Sequence, residues 1–211
     1  MGPACQPPEE PRPSSIYRPK GNRLASSWEG LEVCQPGPVA VLELGAKQGN
    51  FKNLLKVHSD MGWDLLLNDR REIQRGEDTL HLIGVENWGK GGFKKAGDFD
   101  KASEGVNASD FKILLSHDPS YWDEVIKTHE KNVQLTLSGH THGMQFGIEI
   151  PGWFKWSPVQ YRYDQWAGIY ENAKRYINVN RGFGYLAYPG RVGIWPEITV
   201  IKLKRSSPSH V

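Results

Sequence analysis

Three of the seven histidines in this 211-residue chain stand where they could act together. His140 and His142 lie in Gly139-His140-Thr141-His142-Gly143, directly after the apolar run Val133 to Leu137; His117 lies in Ser116-His117-Asp118-Pro119, directly after Phe111 to Leu115. Short apolar runs of this kind read as buried parallel strands, and in open α/β sheets chemistry gathers beyond the strands' carboxyl ends. Neutral imidazole is a good ligand for zinc, iron, manganese and similar ions, and a His-x-His pair can approach one ion from neighbouring directions. Gly139 and Gly143 would let the backbone turn sharply and come close to an ion or a phosphate. The chemistry read from these residues is transition-metal binding through His117, His140 and His142. The plainer alternative is a set of hydrogen-bonded loop histidines.

These two motifs, together with Gly62-Trp63-Asp64-Leu65-Leu66-Leu67-Asn68, Ile83-Gly84-Val85-Glu86-Asn87-Trp88-Gly89 and Asn180-Arg181-Gly182-Phe183-Gly184, resemble the calcineurin-like metallophosphoesterases. The likeness runs from about Ala46 to Arg205. It implies an α/β fold, part of a four-layer α/β/β/α sandwich. It also implies hydrolysis of a phosphate mono- or diester at a site holding two divalent metal ions, Mn, Fe or Zn. Within that resemblance His117 and His140 are similar to ligands of the second metal and His142 to a ligand of the first. Arg181 could hold a substrate phosphate through its planar fork of donors, the alternative being a structural salt bridge.

The chain also departs from the family. The earlier motifs Asp-x-His, Gly-Asp-x-x-Asp and Gly-Asn-His with a following acid are not in this sequence: Gly21-Asn22 is followed by Arg23, and Gly97-Asp98 falls between the wrong elements. The bridging aspartate and the catalytic histidine therefore have no counterpart, and no catalytic residue is assigned. The expectation is a chain that reads as the second half of such an enzyme, truncated and poorly active on its own; the competing class is a non-catalytic metal-binding or interaction fragment.

The elements that must position these residues can be read from periodicity. Apolar residues at three- and four-residue intervals predict a helix over Ala46 to Met61, stopped by Gly62, with His58 at its surface or edge. Trp63 to Leu67 reads as a buried strand, then Arg70 to Gln74 and Thr79 to Val85 as two strands joined by Arg75-Gly76-Glu77-Asp78, with His81 facing away from the core. A short helix is expected over Phe99 to Glu104 and another from Pro119 to about Thr128, whose dipole His129 would complement. Val133 to Leu137, Gln145 to Ile150, Gly168 to Tyr170, Arg175 to Asn180 and Glu197 to Leu203 read as further strands. The aromatic stretch beginning at Trp153 would form a wall past which substrate enters. Glycines 89, 91 and 92 lack the spacing of a phosphate loop.

Composition narrows the classes further. Twenty-six basic against 24 acidic residues, a formal charge of +2, give no nucleic-acid-binding stripe. No apolar run is long enough to span a bilayer and no signal-peptide pattern opens the chain, so a cytoplasmic protein is expected, a membrane anchor on a longer parent apart. The two cysteines, Cys5 and Cys34, precede the region of family likeness, so disulfides do not hold that region. Eight of the 14 prolines fall before residue 40. Residues 1–45 are accordingly expected to be disordered or non-homologous, 46–205 to form the metallophosphoesterase-like domain and 206–211 to be a frayed tail. Apolar surface left open by the absent half would favour self-association.

Overall fold

The computed structural model describes residues 50–62, 64–89, 95–186 and 188–204. The chain divides into two units. One comprises Cys34–Thr199 and holds every element named below; the other comprises Met1–Val33 and Val200–Val211, of which 200–204 are described and carry no helix or strand. The expectations for 1–45 and 206–211 lie outside the described residues.

In chain order the elements are α1 (Asn50–Asp60), β1 (Asp69–Arg75), β2 (Asp78–Gly84), α2 (Phe99–Ala102), β3 (Phe111–Leu115), α3 (Ser120–Glu124), β4 (Leu135–Ser138), β5 (Ile148–Ile150), β6 (Phe154–Trp156), β7 (Gly168–Asn172) and β8 (Arg175–Val179). Six strands form one sheet in the order β1-β2-β3-β4-β8-β7, while β5 and β6 pair separately as an antiparallel hairpin. The inner neighbours β2, β3, β4 and β8 are parallel; the two edges are antiparallel hairpins, β1 with β2 and β7 with β8. This is the α/β class expected. It follows from the apolar runs: β3 and β4 are each bracketed by parallel strands, so Ile113, Leu114 and Thr136 are all buried.

The core lies where these inner strands meet the connecting segments. Ile83, Leu114 and Ile177 are fully buried and pack with Phe99, Trp122 and Ile126. Lys112 is also fully buried, and its ammonium donates to the carbonyls of Asn107, Ala108 and Asp110 at 2.7, 3.2 and 2.5 Å, which satisfies the charge without a carboxylate. A second cluster, Val159, Tyr163, Trp166, Ala167 and Ile194, forms under the segment after β6. No helix among the described residues is long and apolar enough to cross a membrane.

Several local expectations are corrected. Residues 64–67 form no strand, because β1 already occupies the free edge of β2. The segment instead lies across the sheet face, where a Cβ on Gly84 would stand 2.3 Å from the Leu66 Cβ. The helix after Pro119 ends at Glu124; Val125, at φ −128°, breaks it, and Ile126–Thr128 is a separate 3-10 turn. The strand expected from Gln145 starts only at Ile148, and Phe154–Trp156 pairs with it where an aromatic loop was expected. No strand forms over 197–203 among the described residues: Glu197 and Thr199 are engaged by Arg181 and Asn180 side chains instead. His58 is buried, not at the surface or edge of α1. His81 is buried too, with Glu72 and Asp110 carboxylates 3.8 and 3.6 Å from its two ring nitrogens.

Candidate metal centre

Parallel pairing continues past the ends of three neighbouring strands. Ser116 N donates to Leu137 O at 3.0 Å, Gly139 N to His117 O at 3.1 Å and Asn180 N to Ser138 O at 2.8 Å. These bonds bring together the segments after β3, β4 and β8, which carry His117, His140 with His142, and Arg181 respectively.

Within this cluster His117 Nε2 is 3.0 Å from His140 Nδ1, with the two rings edge to face. The other nitrogen of His140, Nε2, is 2.9 Å from the Tyr163 hydroxyl, whose ring also meets the imidazole edge-on. His142 Nδ1 is buried without a hydrogen-bond partner. All three imidazoles are held neutral. Burial is the main cause for each: it pushes His117 down from 6.5 to about 4, with the His140 and His142 charges adding to the effect and Asp118 opposing it. His140 is lowered by burial and by Arg162 against Asp118, and His142 by burial, Arg191 and His140.

Neutral imidazoles carry the lone pairs that a metal needs. Two nitrogens that share a tetrahedral zinc ion, each about 2.0–2.1 Å from it, stand about 3.3–3.4 Å apart. The His117–His140 separation of 3.0 Å is that of a direct hydrogen bond and a few tenths of an ångström short of that spacing, and the Tyr163 hydroxyl at the far nitrogen of His140 is the kind of outer partner that orients a metal ligand. His142 adds a third neutral imidazole with an unpartnered Nδ1, so the donor types suit a transition metal of the zinc class. The side chains are not gathered around one point: among the described residues no set of three His, Cys, Asp or Glu side chains forms a metal-holding group. Asp118 Oδ1 accepts from Ser120 N and Oγ at 2.8 and 2.6 Å, and Glu86 Oε2 accepts from Asn68 Nδ2 at 2.8 Å.

The backbone here is unusual. His140 has φ +68°, and His142, Gly143, Met144 and Gln145 run consecutively at +50°, +58°, +53° and +55°. A left-handed turn costs an L residue about 1–2 kcal/mol at each position and persists only where surrounding contacts hold it. Some of those contacts are local: Thr141 Oγ1 donates to Trp166 O and accepts from Gly143 N, and Ser157 Oγ donates to Gly143 O.

Arg181 runs alongside this turn, its Cδ 3.2 Å from where a Cβ on Gly143 would lie. Its guanidinium faces two carboxylates: Nη1 donates to Glu149 at 2.5 Å and Nε to Glu197 at 2.8 Å. Tyr163 is the residue that sequence reading missed in this role. The sequence marks it only as one member of the aromatic stretch that begins at Trp153; in the structure Tyr163 and Trp166 are buried while Trp153 and Tyr161 stay exposed. Nothing in the sequence marks which tyrosine folds back onto His140, since the contact spans 23 positions.

The chain is 40% identical over 97 residues to the uncharacterized metallophosphoesterase YkuE of Bacillus subtilis, which is 46% of this chain and 32% of that protein. It is 30% identical over 196 residues to a transmembrane protein with metallophosphoesterase domain from Danio rerio, covering 88% of this chain and 43% of that protein. It is 22% identical over 182 residues to the uncharacterized metallophosphoesterase YkoQ of Bacillus subtilis, covering 84% of this chain and 64% of that protein. The chain thus spans from 32% to 64% of the length of these relatives. No family model matches the chain, and no solved structure matches it significantly. The relatives, the α/β sheet and the histidines at its strand ends agree that this chain carries a segment of the calcineurin-like metallophosphoesterase family.

Proposed function

We propose that residues 46–205 act as a metallophosphoesterase-like domain in which His117, His140 and His142 hold divalent metal for the hydrolysis of phosphate mono- or diesters. The observation that supports this most is the approach of His117 Nε2 to His140 Nδ1 at 3.0 Å between two imidazoles both held neutral by burial. When bound, a metal pair would polarise a phosphoryl oxygen and supply hydroxide at neutral pH. The chain's own groups present three imidazole nitrogens, set the His140 tautomer through Tyr163, and keep protons off the histidines through burial. Arg181 pairs with Glu149 and Glu197 through Nη1 and Nε, which fixes the loop after β8.

Calorimetry with zinc and with manganese on the wild-type chain and on a His140→Ala, His142→Ala double variant tests the reading. Saturable binding by wild type, lost in the variant, is expected; equal binding by both proteins would sink it. A second reading, a metal-binding or interaction fragment without turnover, is favoured by one specific observation. The nearby carboxylate of Asp118 has Oδ1 engaged by the backbone N–H and hydroxyl of Ser120 and not turned toward the histidines as a bridge.

A further inference from the structure

The left-handed turn from His142 to Gln145 needs more than its local hydrogen bonds, and the segment 181–192 supplies them. Arg191 donates from Nη1 to His142 O at 3.2 Å, and from Nη2 to Arg181 O at 2.9 Å and Gly184 O at 2.8 Å. One planar fork thereby ties the carbonyl of a metal-ligand candidate to the loop that follows β8. No carboxylate is among these hydrogen-bond partners, and burial beside Arg181 makes its charge costly, so the fork serves geometry and not charge pairing. The other end of the turn is gripped by the same segment. Gln145 Nε2 donates to Tyr188 O and Gly190 O, both at 2.6 Å, its Oε1 accepts from Leu186 N, and its carbonyl accepts from Val192 N at 2.8 Å.

We infer that Arg191 is a positioning residue for the candidate metal centre: by holding the His142 carbonyl it fixes the left-handed backbone from which that imidazole projects, with Gln145 anchoring the turn's far end. This rests on the reading of His142 as a metal ligand. It assigns to position 191 a role that Arg181, already occupied by Glu149 and Glu197, does not fill.

The test measures zinc affinity and the cobalt(II) absorption spectrum of the 211-residue chain as wild type, Arg191→Met and Arg191→Lys, with the melting temperature of each metal-free protein. Loss of an outer partner of a metal ligand costs about 10- to 100-fold in affinity, and that is the loss expected for Arg191→Met, with a changed cobalt spectrum. Arg191→Lys, which keeps the charge and can reach only part of the carbonyl set, should fall between the two. A brace with no bearing on the metal would lower the melting temperature and leave affinity and spectrum as they are; wild-type affinity in Arg191→Met, or in Arg191→Lys should the methionine variant not fold, overturns the inference. Absence of zinc binding by wild type itself overturns the metal reading beneath it, so the two failures are told apart.

Discussion

At the scale of single residues the site depends on keeping imidazoles uncharged, and that has a consequence for stability. His117 titrates near 4 in the folded chain and near 6.5 when unfolded. Between those values the unfolded chain binds the extra proton, so stability falls as pH drops through 6.5 and levels off below about 4. At about 1.4 kcal/mol per pH unit over the shift from 6.5 to about 4, the loss is on the order of 3 kcal/mol. Urea denaturation of the metal-free protein between pH 7 and 4 should show this slope, and His117→Gln should flatten it; an identical slope in the variant would place the acid sensitivity elsewhere. Arg181 offers a second case. Its partners Glu149 and Glu197 are mostly buried, and removing the cation strips both of their ion pair, leaving Glu197 only the Thr199 hydroxyl and the backbone N–H of residue 181. Arg181→Met should therefore cost on the order of 3 kcal/mol by urea denaturation. Adding Glu197→Gln should recover part of it, and a cost below about 0.5 kcal/mol would mean that the pairs contribute little, as exposed pairs do.

At the scale of elements, Gly147 is wedged between the end of β6 and the segment that carries Ile194. A Cβ there would lie 2.2 Å from Trp156 O and 2.8 Å from Ile194 Cδ1, so Gly147→Ala must first move the Trp156 backbone and loosen the hairpin from within. A loss of about 1–3 kcal/mol is expected by urea denaturation, and an unchanged midpoint would show that the hairpin shifts freely. This contact could not be read from sequence, because a glycine in an apolar stretch looks the same whether it faces solvent or another backbone. The strands β3 and β4 were legible from Phe111 to Leu115 and Val133 to Leu137, since burial on both faces forces an apolar run. Leu65 to Leu67 carries the same signal and is no strand: an apolar run records burial, and Leu66 gains burial by crossing over Gly84 instead of pairing with it. His81 was misplaced for the converse reason. Alternation predicts a solvent face only if nothing covers it, and Glu72 on β1 with Asp110 before β3 do cover it. The twin-histidine motif was legible as chemistry; the left-handed turn behind it, held by residues 40 and more positions later, was not.

At the scale of the whole molecule, the acidic groups that stand in or near this region are already engaged, Asp118 by Ser120, Glu86 by Asn68, and Glu149 with Glu197 by Arg181. The sequence holds no Asp-x-His or Gly-Asp-x-x-Asp motif to add others. Three neutral imidazoles can bind an ion, but phosphoryl transfer at a metal pair also needs a carboxylate to bridge the ions and balance their charge. Removing one preorganised electrostatic contributor costs about 100- to 1000-fold in rate, and several are absent here together. Metal binding and turnover should therefore separate in this chain. With manganese in excess and a chromogenic phosphodiester as substrate, hydrolysis by the wild-type chain should match that of its His117→Ala variant, while calorimetry on the same two proteins shows metal binding in the first and a loss in the second. Turnover at the level of ordinary metallophosphoesterases, abolished by His117→Ala, would contradict this. It would mean that Asp118, Glu86 or Asp98 leaves its present hydrogen bonds to complete the site, or that a second chain supplies the acid, and equilibrium sedimentation with and without manganese would decide between those two sources.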